Sequence, residues 1–156
     1  MNTAKLEQTI ITRLETDTGT GGLYNIITPL VSAVYNGFAL HSDVLDKPYV
    51  CMVVEDGQQD DNFTTDNVAI DVTFHIFDSR TRVSDACAST IERIYGDGPK
   101  TTGPTYGLHR WSMGLLSGSS TDTGAIMYRT GFSSNHDKDF WHYIERYTVR
   151  VERAGS

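Results

Sequence analysis

The chain has 156 residues, 38% of them hydrophobic and 21% charged, which fits one domain, residues 1–156, with a normal core and no tract polar enough to stay unfolded. Its formal net charge of −7 argues against ordinary tight binding to nucleic acid, an affinity that comes mainly from Lys and Arg neutralising phosphates. DNA passing close by is not excluded, because a channel that DNA slides through without sticking is better lined by carboxylates than by arginines.

The spacing of Leu6, Ile10 and Leu14, widened by Ile11, predicts a helix from Thr3 to about Thr16, stopped by the Gly-rich run Asp17–Gly22. Leu23 to Val34 has helical spacing interrupted by Pro29 and is ambiguous. Ala33 to Ala39 reads as extended, and a polar loop through His41, Ser42 and Asp43 leads to a β-rich run, Lys47–Val54, with Pro48 suited to a strand start. An acidic turn is expected over Glu55–Asn62. Asn67 to Asp78 is the clearest strand: Val68, Ile70, Val72, Phe74 and Ile76 alternate with Asn67, Ala69, Asp71, Thr73 and His75, one set for a core and the other mostly wet.

A second helix is expected from about Arg80 to Tyr95, with Val83, Cys87, Ile91 and Ile94 as its apolar stripe and Gly96–Pro99 as its stop. Short strands follow around Leu108–Leu115 and Ala125–Phe132. A long last strand, Phe140–Glu152, carries Trp141, Tyr143, Tyr147, Val149 and Val151 on one face. The Gly/Ser/Thr-rich segment Leu116–Gly124 and the polar segment Ser133–Asp139 read as hairpin loops. The pattern adds up to an α+β fold, an antiparallel β-sheet with two main α-helices packed mostly on one face.

Three stretches of this layout resemble the tail terminator (tail completion) family of long-tailed phages. Ala33-Val34-Tyr35-Asn36, a polar loop and Lys47-Pro48-Tyr49-Val50 are similar to that family's short strand ending in Tyr, variable loop and Pro-Tyr-Val strand start. Ala69–Phe74 followed by the helix to Ile94 resembles its strand, turn and helix. Tyr143-Ile144-Glu145-Arg146-Tyr147-Thr148-Val149-Arg150-Val151 resembles its closing strand. Between Gly96 and Asp139 the sequence departs from the compact family pattern, with longer loops. The resemblance implies a structural virion protein without catalytic, metal or cofactor residues. It implies a ring, usually a hexamer, that caps the tail tube protein and docks to the head–tail connector or head-closure protein while DNA passes through the lumen. Another neck component is the alternative within the same class.

Several residues carry competing readings. Glu55, Asp56, Asp60 and Asp61 form either a solvated turn or a loop that faces a DNA-bearing lumen or a basic partner. Trp141 and Tyr143 are candidates for contact with another chain, against ordinary core packing. Asp71 and His75 share a strand face with Asp78 just beyond, which in a small hydrolase would make a His/carboxylate site; a solvated sheet face is the preferred reading. Gly96–Thr102 lacks the spacing of a phosphate loop and follows a helix instead of opening one. The loop His136–Asp139 reads as a solvated charge cluster. Cys51 and Cys87 are expected as small buried apolar groups, and His41, His75, His109, His136 and His142 look too scattered for a metal site. With no apolar run near the ~18–20 residues that cross a bilayer and no secretory signal at the start, no membrane partner is expected. Assembly in the host cytoplasm and residence in the virion tail follow from the resemblance.

Overall fold

A computed structural model describes residues 3–15, 33–37, 48–59, 66–79, 85–96, 107–113, 122–136 and 139–153. In chain order these form α1 (Thr3–Glu15), β1 (Ala33–Asn36), β2 (Tyr49–Gln59), β3 (Asp66–Ser79), α2 (Asp85–Tyr95), β4 (Trp111–Ser112), β5 (Asp122–His136) and β6 (Phe140–Arg153). The strands make one sheet in the order β1-β2-β3-β6-β5-β4. All neighbours are antiparallel except β1 on β2. The fold is α+β, as the sequence predicts. Among the described residues no helix is long and apolar enough to cross a membrane.

Both helices cover the same face. Leu6, Ile10 and Leu14 of α1 and Cys87, Ile91 and Ile94 of α2 are buried with Val50, Met52, Ile70, Val72, Phe74, Ile76, Met127, Tyr147, Val149 and Val151. This is the core that the alternation of β3 and the two helical stripes demand. Burying each large apolar side chain contributes about 1.5–3 kcal/mol. Gly96 ends α2 in the left-handed conformation, φ 81°, and its N–H donates to the Glu92 carbonyl at 2.9 Å. Both cysteines are buried.

Three expectations need correction. The acidic segment after Val54 is not a turn at Glu55. β2 continues to Gln59, and the register slips between Val54 (opposite Val72) and Gly57 (opposite Ile70), so Glu55 and Asp56 stand against Asp71 alone. That is a bulge, which lets the ladder absorb an extra residue and twist. The polar segment from Ser133 is not a loop either, because β5 runs through His136 and pairs Ser133, Ser134, Asn135 and His136 with Ile144, Tyr143, His142 and Trp141. Small polar residues fit there because large β6 side chains stand opposite each of them. Third, the second face of β3 is not mostly wet: Phe77 and Thr73 are buried there, and Phe77 packs with Tyr49, Cys51 and Tyr35 in a second cluster. Residues 23–32 of the ambiguous Leu23–Val34 segment, Asp60, Asp61, Val83, the Asp97–Thr102 run and residues 116–121 of the Leu116–Gly124 segment lie outside the described residues, while Ala33 and Val34 are strand and Asp122, Thr123 and Gly124 already belong to β5.

The segment after α2 returns onto the helix end it has just left. Leu108 N–H donates to the Ile94 carbonyl at 2.8 Å, and Arg13 of α1 donates to the Gly107 carbonyl at 3.3 Å. Gly107 has φ +86°, and a Cβ there would land on the Gly96 Cα and the Tyr95 carbonyl oxygen. Gly107→Ala is expected to destabilise by about 2–4 kcal/mol, combining left-handed strain with overpacking. Gly131→Ala, where a Cβ meets nothing within 4 Å, should be neutral or stabilising by up to about 1 kcal/mol. Urea unfolding of the two variants measures the contrast.

Candidate functional site

The helix-covered face holds a buried polar cluster. In β6 the parity that buries Tyr147, Val149 and Val151 also turns Glu145 inward, where it is 0% exposed. Tyr147 Oη donates to Glu145 Oε1 at 2.6 Å. Arg129, from β5, places Nη1 3.5 Å from the same oxygen and 3.8 Å from Glu92 Oε1 of α2. Its guanidinium also lies 3.8 Å from the centre of the Tyr95 ring, a cation–π contact, and 5.0 Å from that of Phe132. Burial pushes the Glu145 carboxyl up to about 8, outweighing the Tyr147 hydrogen bond and the Arg129 charge. The shift favours the protonated carboxylic acid beside the guanidinium. Burial and the neighbouring Glu145 raise the Tyr147 phenol as well. Glu145 Oε2 and Arg129 Nη1 are buried with no hydrogen-bond partner, so the cluster carries unused polar capacity.

The opposite face carries the second set. Thr73 Oγ1 donates to Glu55 Oε1 at 3.2 Å, and Thr148 Oγ1 donates to Asp71 Oδ1 at 2.9 Å. His75 Nδ1 and His142 Nε2 share a hydrogen bond of 2.9 Å across β3 and β6. A shallow cavity of about 240 Å³ opens further along this face between Ser112, Ile126, Tyr128, Arg150 and Glu152. Among the described residues, no three His, Cys, Asp or Glu side chains gather as a metal site.

The third feature is the outer edge of β5. β4 covers it only at Ile126 and Met127. Around that contact the Ala125 and Met127 carbonyls accept from the Met113 and Arg110 N–H groups, and the Arg129 N–H donates to His109 Nδ1 at 3.0 Å. Odd-numbered residues thus face outward as far as Arg129. The register slips between Arg129 and Gly131, so from there the even-numbered residues, Phe132 and Ser134, direct their backbone groups outward. Beyond Arg129 no described strand pairs with that edge. Phe132 sits on it 60% exposed.

The residues singled out from sequence are not brought together. Glu55 is an exposed strand residue, Asp56 lies in the β2 bulge, and Asp60 and Asp61 are outside the described residues. Trp141 and Tyr143 are partly buried and pack against the chain's own core, so only their remaining exposed surface is open to another chain. The Asp71/His75/Asp78 grouping does not form. Asp71 and His75 lie four residues apart on one face, about 13 Å along the strand. Asp78 has the parity of Phe74 and Ile76, and it is buried with Oδ1 accepting the Ser79 N–H. The histidines were expected to be scattered, and two of them meet. Sequence reading missed that pair because 67 residues separate them. It missed Glu145 too, although its place in the Tyr143/Tyr147/Val149/Val151 stripe was a legible signal.

Comparison of the chain with known protein families and with curated proteins gives no match.

Glu145 sets a pH dependence with a defined sign. Its folded pKa lies above the ordinary value of 4.5, so its contribution to stability is complete below pH 4.5 and is lost as pH rises through 8. Relative to Glu145→Gln, the wild-type chain should lose up to about 1.4 kcal/mol per pH unit across that window. Urea unfolding at stepped pH reads the difference, and parallel curves would show that Glu145 ionises normally. Tyr147→Phe, which removes the donor to Glu145, should cost about 1–3 kcal/mol at pH 7 in the same assay.

Proposed function

We propose that this chain is a structural assembly subunit of the tail terminator type. Copies join edge to edge into a ring, hexameric by the resemblance, that caps a phage tail tube at its head-proximal end. The ring meets the head–tail connector or head-closure protein, and DNA passes through its lumen without chemistry. The observation that carries this reading is the stretch of β5 beyond Arg129, whose outer edge no described strand covers. A long strand with unsatisfied backbone groups on one side is a template for pairing with another chain, and soluble proteins rarely leave one uncovered. Rings need heterologous contacts that close by rotation, and an edge strand supplies the directional half of such a contact. The exposed Phe132 ring on that edge has the chemistry of an interface anchor.

The layout supports the same reading. The order of helix, strands, helix and strands, with both described helices on one face, is that of the layout the resemblance implies, apart from the bulged strand at Glu55. The other face exposes carboxylates at Glu55 and Asp71, the chemistry suited to a lumen wall or to a basic docking partner.

Sedimentation velocity across protein concentration and salt tests the reading. A discrete closed species is expected, alone or on added tail tubes. Phe132→Asp should weaken its formation about tenfold or more, equivalent to about 1.4 kcal/mol per contact, while far-UV CD stays unchanged. A chain that stays monomeric both alone and with assembled tail tubes overturns the proposal.

A further inference from the structure

A row of rings crosses four strands on the face opposite the helices. Tyr35 of β1 meets Tyr49 of β2 edge-on at 6.1 Å. Tyr49 stacks on Phe77 of β3 at 5.2 Å, and Phe77 stacks on His142 of β6 at 4.3 Å. His75 closes the row, with its ring 5.1 Å from that of His142 and the 2.9 Å nitrogen–nitrogen hydrogen bond between them. The register explains the meeting: Phe77 stands opposite His142 and His75 opposite Ile144, so the two histidines are diagonal neighbours on one face.

We propose that His75 and His142 form a proton-operated latch, closed while the pair holds no more than one extra proton and opened by the second. The chemistry of the shared bond carries this. Between neutral rings one nitrogen donates and the other accepts. A first extra proton preserves the bond as a charge-assisted one, and a cation in the row is tolerated against the Phe77 face. A second leaves two N–H donors pointing at each other across 2.9 Å, each on a charged ring. Between these two facing nitrogens no acceptor is left, so the rings separate. Their separation uncovers Phe77 and loosens its stack on Tyr49, which ties β3 to the β2–β1 edge.

Among the described residues the surrounding charges are of both signs. β2 contributes Glu55, with Cys51 directly opposite His75, and β3 contributes Asp71, tied to Thr148. β6 contributes Arg146, β1 contributes the Tyr35 phenol, and β5 places uncharged Asn135 opposite His142. Burial, then the His142 ring, hold His75 below its usual value; Arg146 adds to this and Glu55 opposes it. With the folded His75 value depressed, its contribution is complete above the ordinary histidine range and is lost as pH falls through that value.

NMR titration of the histidine ring protons tests the latch, using the full chain with His109→Gln, because burial holds His109 below its usual value as well. His75 and His142 are expected to titrate in two linked steps, the second well below the ordinary histidine value. Near-UV CD of the ring stack should change with the second step, and the folding equilibrium constant should drop several-fold. Adding His142→Gln should return His75 to a single step and remove most of that drop. Two independent steps near 6.5 in the parent overturn the proposal, even if the double variant does not fold. An unchanged pH dependence in the double variant overturns it as well.

Discussion

The ladder between β3 and β6 is the constraint on which the other features depend. Fourteen residues of each strand pair from Asp66↔Arg153 to Ser79↔Phe140 without a slip. An unbroken antiparallel pair has a strict parity, and each residue's face is settled by its neighbour's. The helices bury one parity, holding Phe74, Ile76, Tyr147 and Val149. A slip of one residue would expose that whole set. The same parity puts Glu145 into the core and lines up His75 with His142 on the other side.

The flanking strands depart from this regularity, and their departures shape the surface. A bulge in β2 sets Glu55 and Asp56 against a single Asp71, keeping an acidic pair in a strand where sequence suggests a turn. A slip in β5 exchanges which backbone groups face outward and brings Phe132 and Arg129 to the same side of the sheet, where the guanidinium lies over the Phe132 ring. Bulges concentrate at edges for this reason: they re-aim side chains without breaking the sheet. The β5 edge proposed as the subunit contact, which no described strand covers, begins where the β5 slip occurs.

The two polar clusters show how one sheet handles titratable groups on its two sides. Under the helices, the cost of charging a fully buried carboxyl exceeds what Arg129 and Tyr147 return, so the Glu145 pKa is raised. Arg129 is nonetheless held between β6, α2 and two rings, and it ties the end of α2 to the hairpin that carries the free edge. On the face opposite the helices, His75 and His142 are half-buried and share a hydrogen bond whose proton count the proposed latch depends on. The first cluster weakens as pH rises and the second as pH falls, so the two favour a band between them.

The sequence by itself determined the parts whose signal is local. Periods of 3.6 and 2 placed α1, the apolar stripe of α2, β3 and β6, and the α+β class followed from their order. Gly96 marked the end of α2 because only a residue without Cβ sits easily at positive φ. The inward turn of Glu145 was also legible, since it shares the parity of Tyr147 and Val149. Tertiary structure decided the rest. Polar Ser133–Asn135 became strand only because β6 was there to pair with them, and Asp78 fell on the opposite face from His75. The histidine pair and the Arg129–Glu145–Tyr95 contact join residues far apart in the chain. Their meeting depends on strand order and register, which long-range pairing sets and no local window of sequence contains.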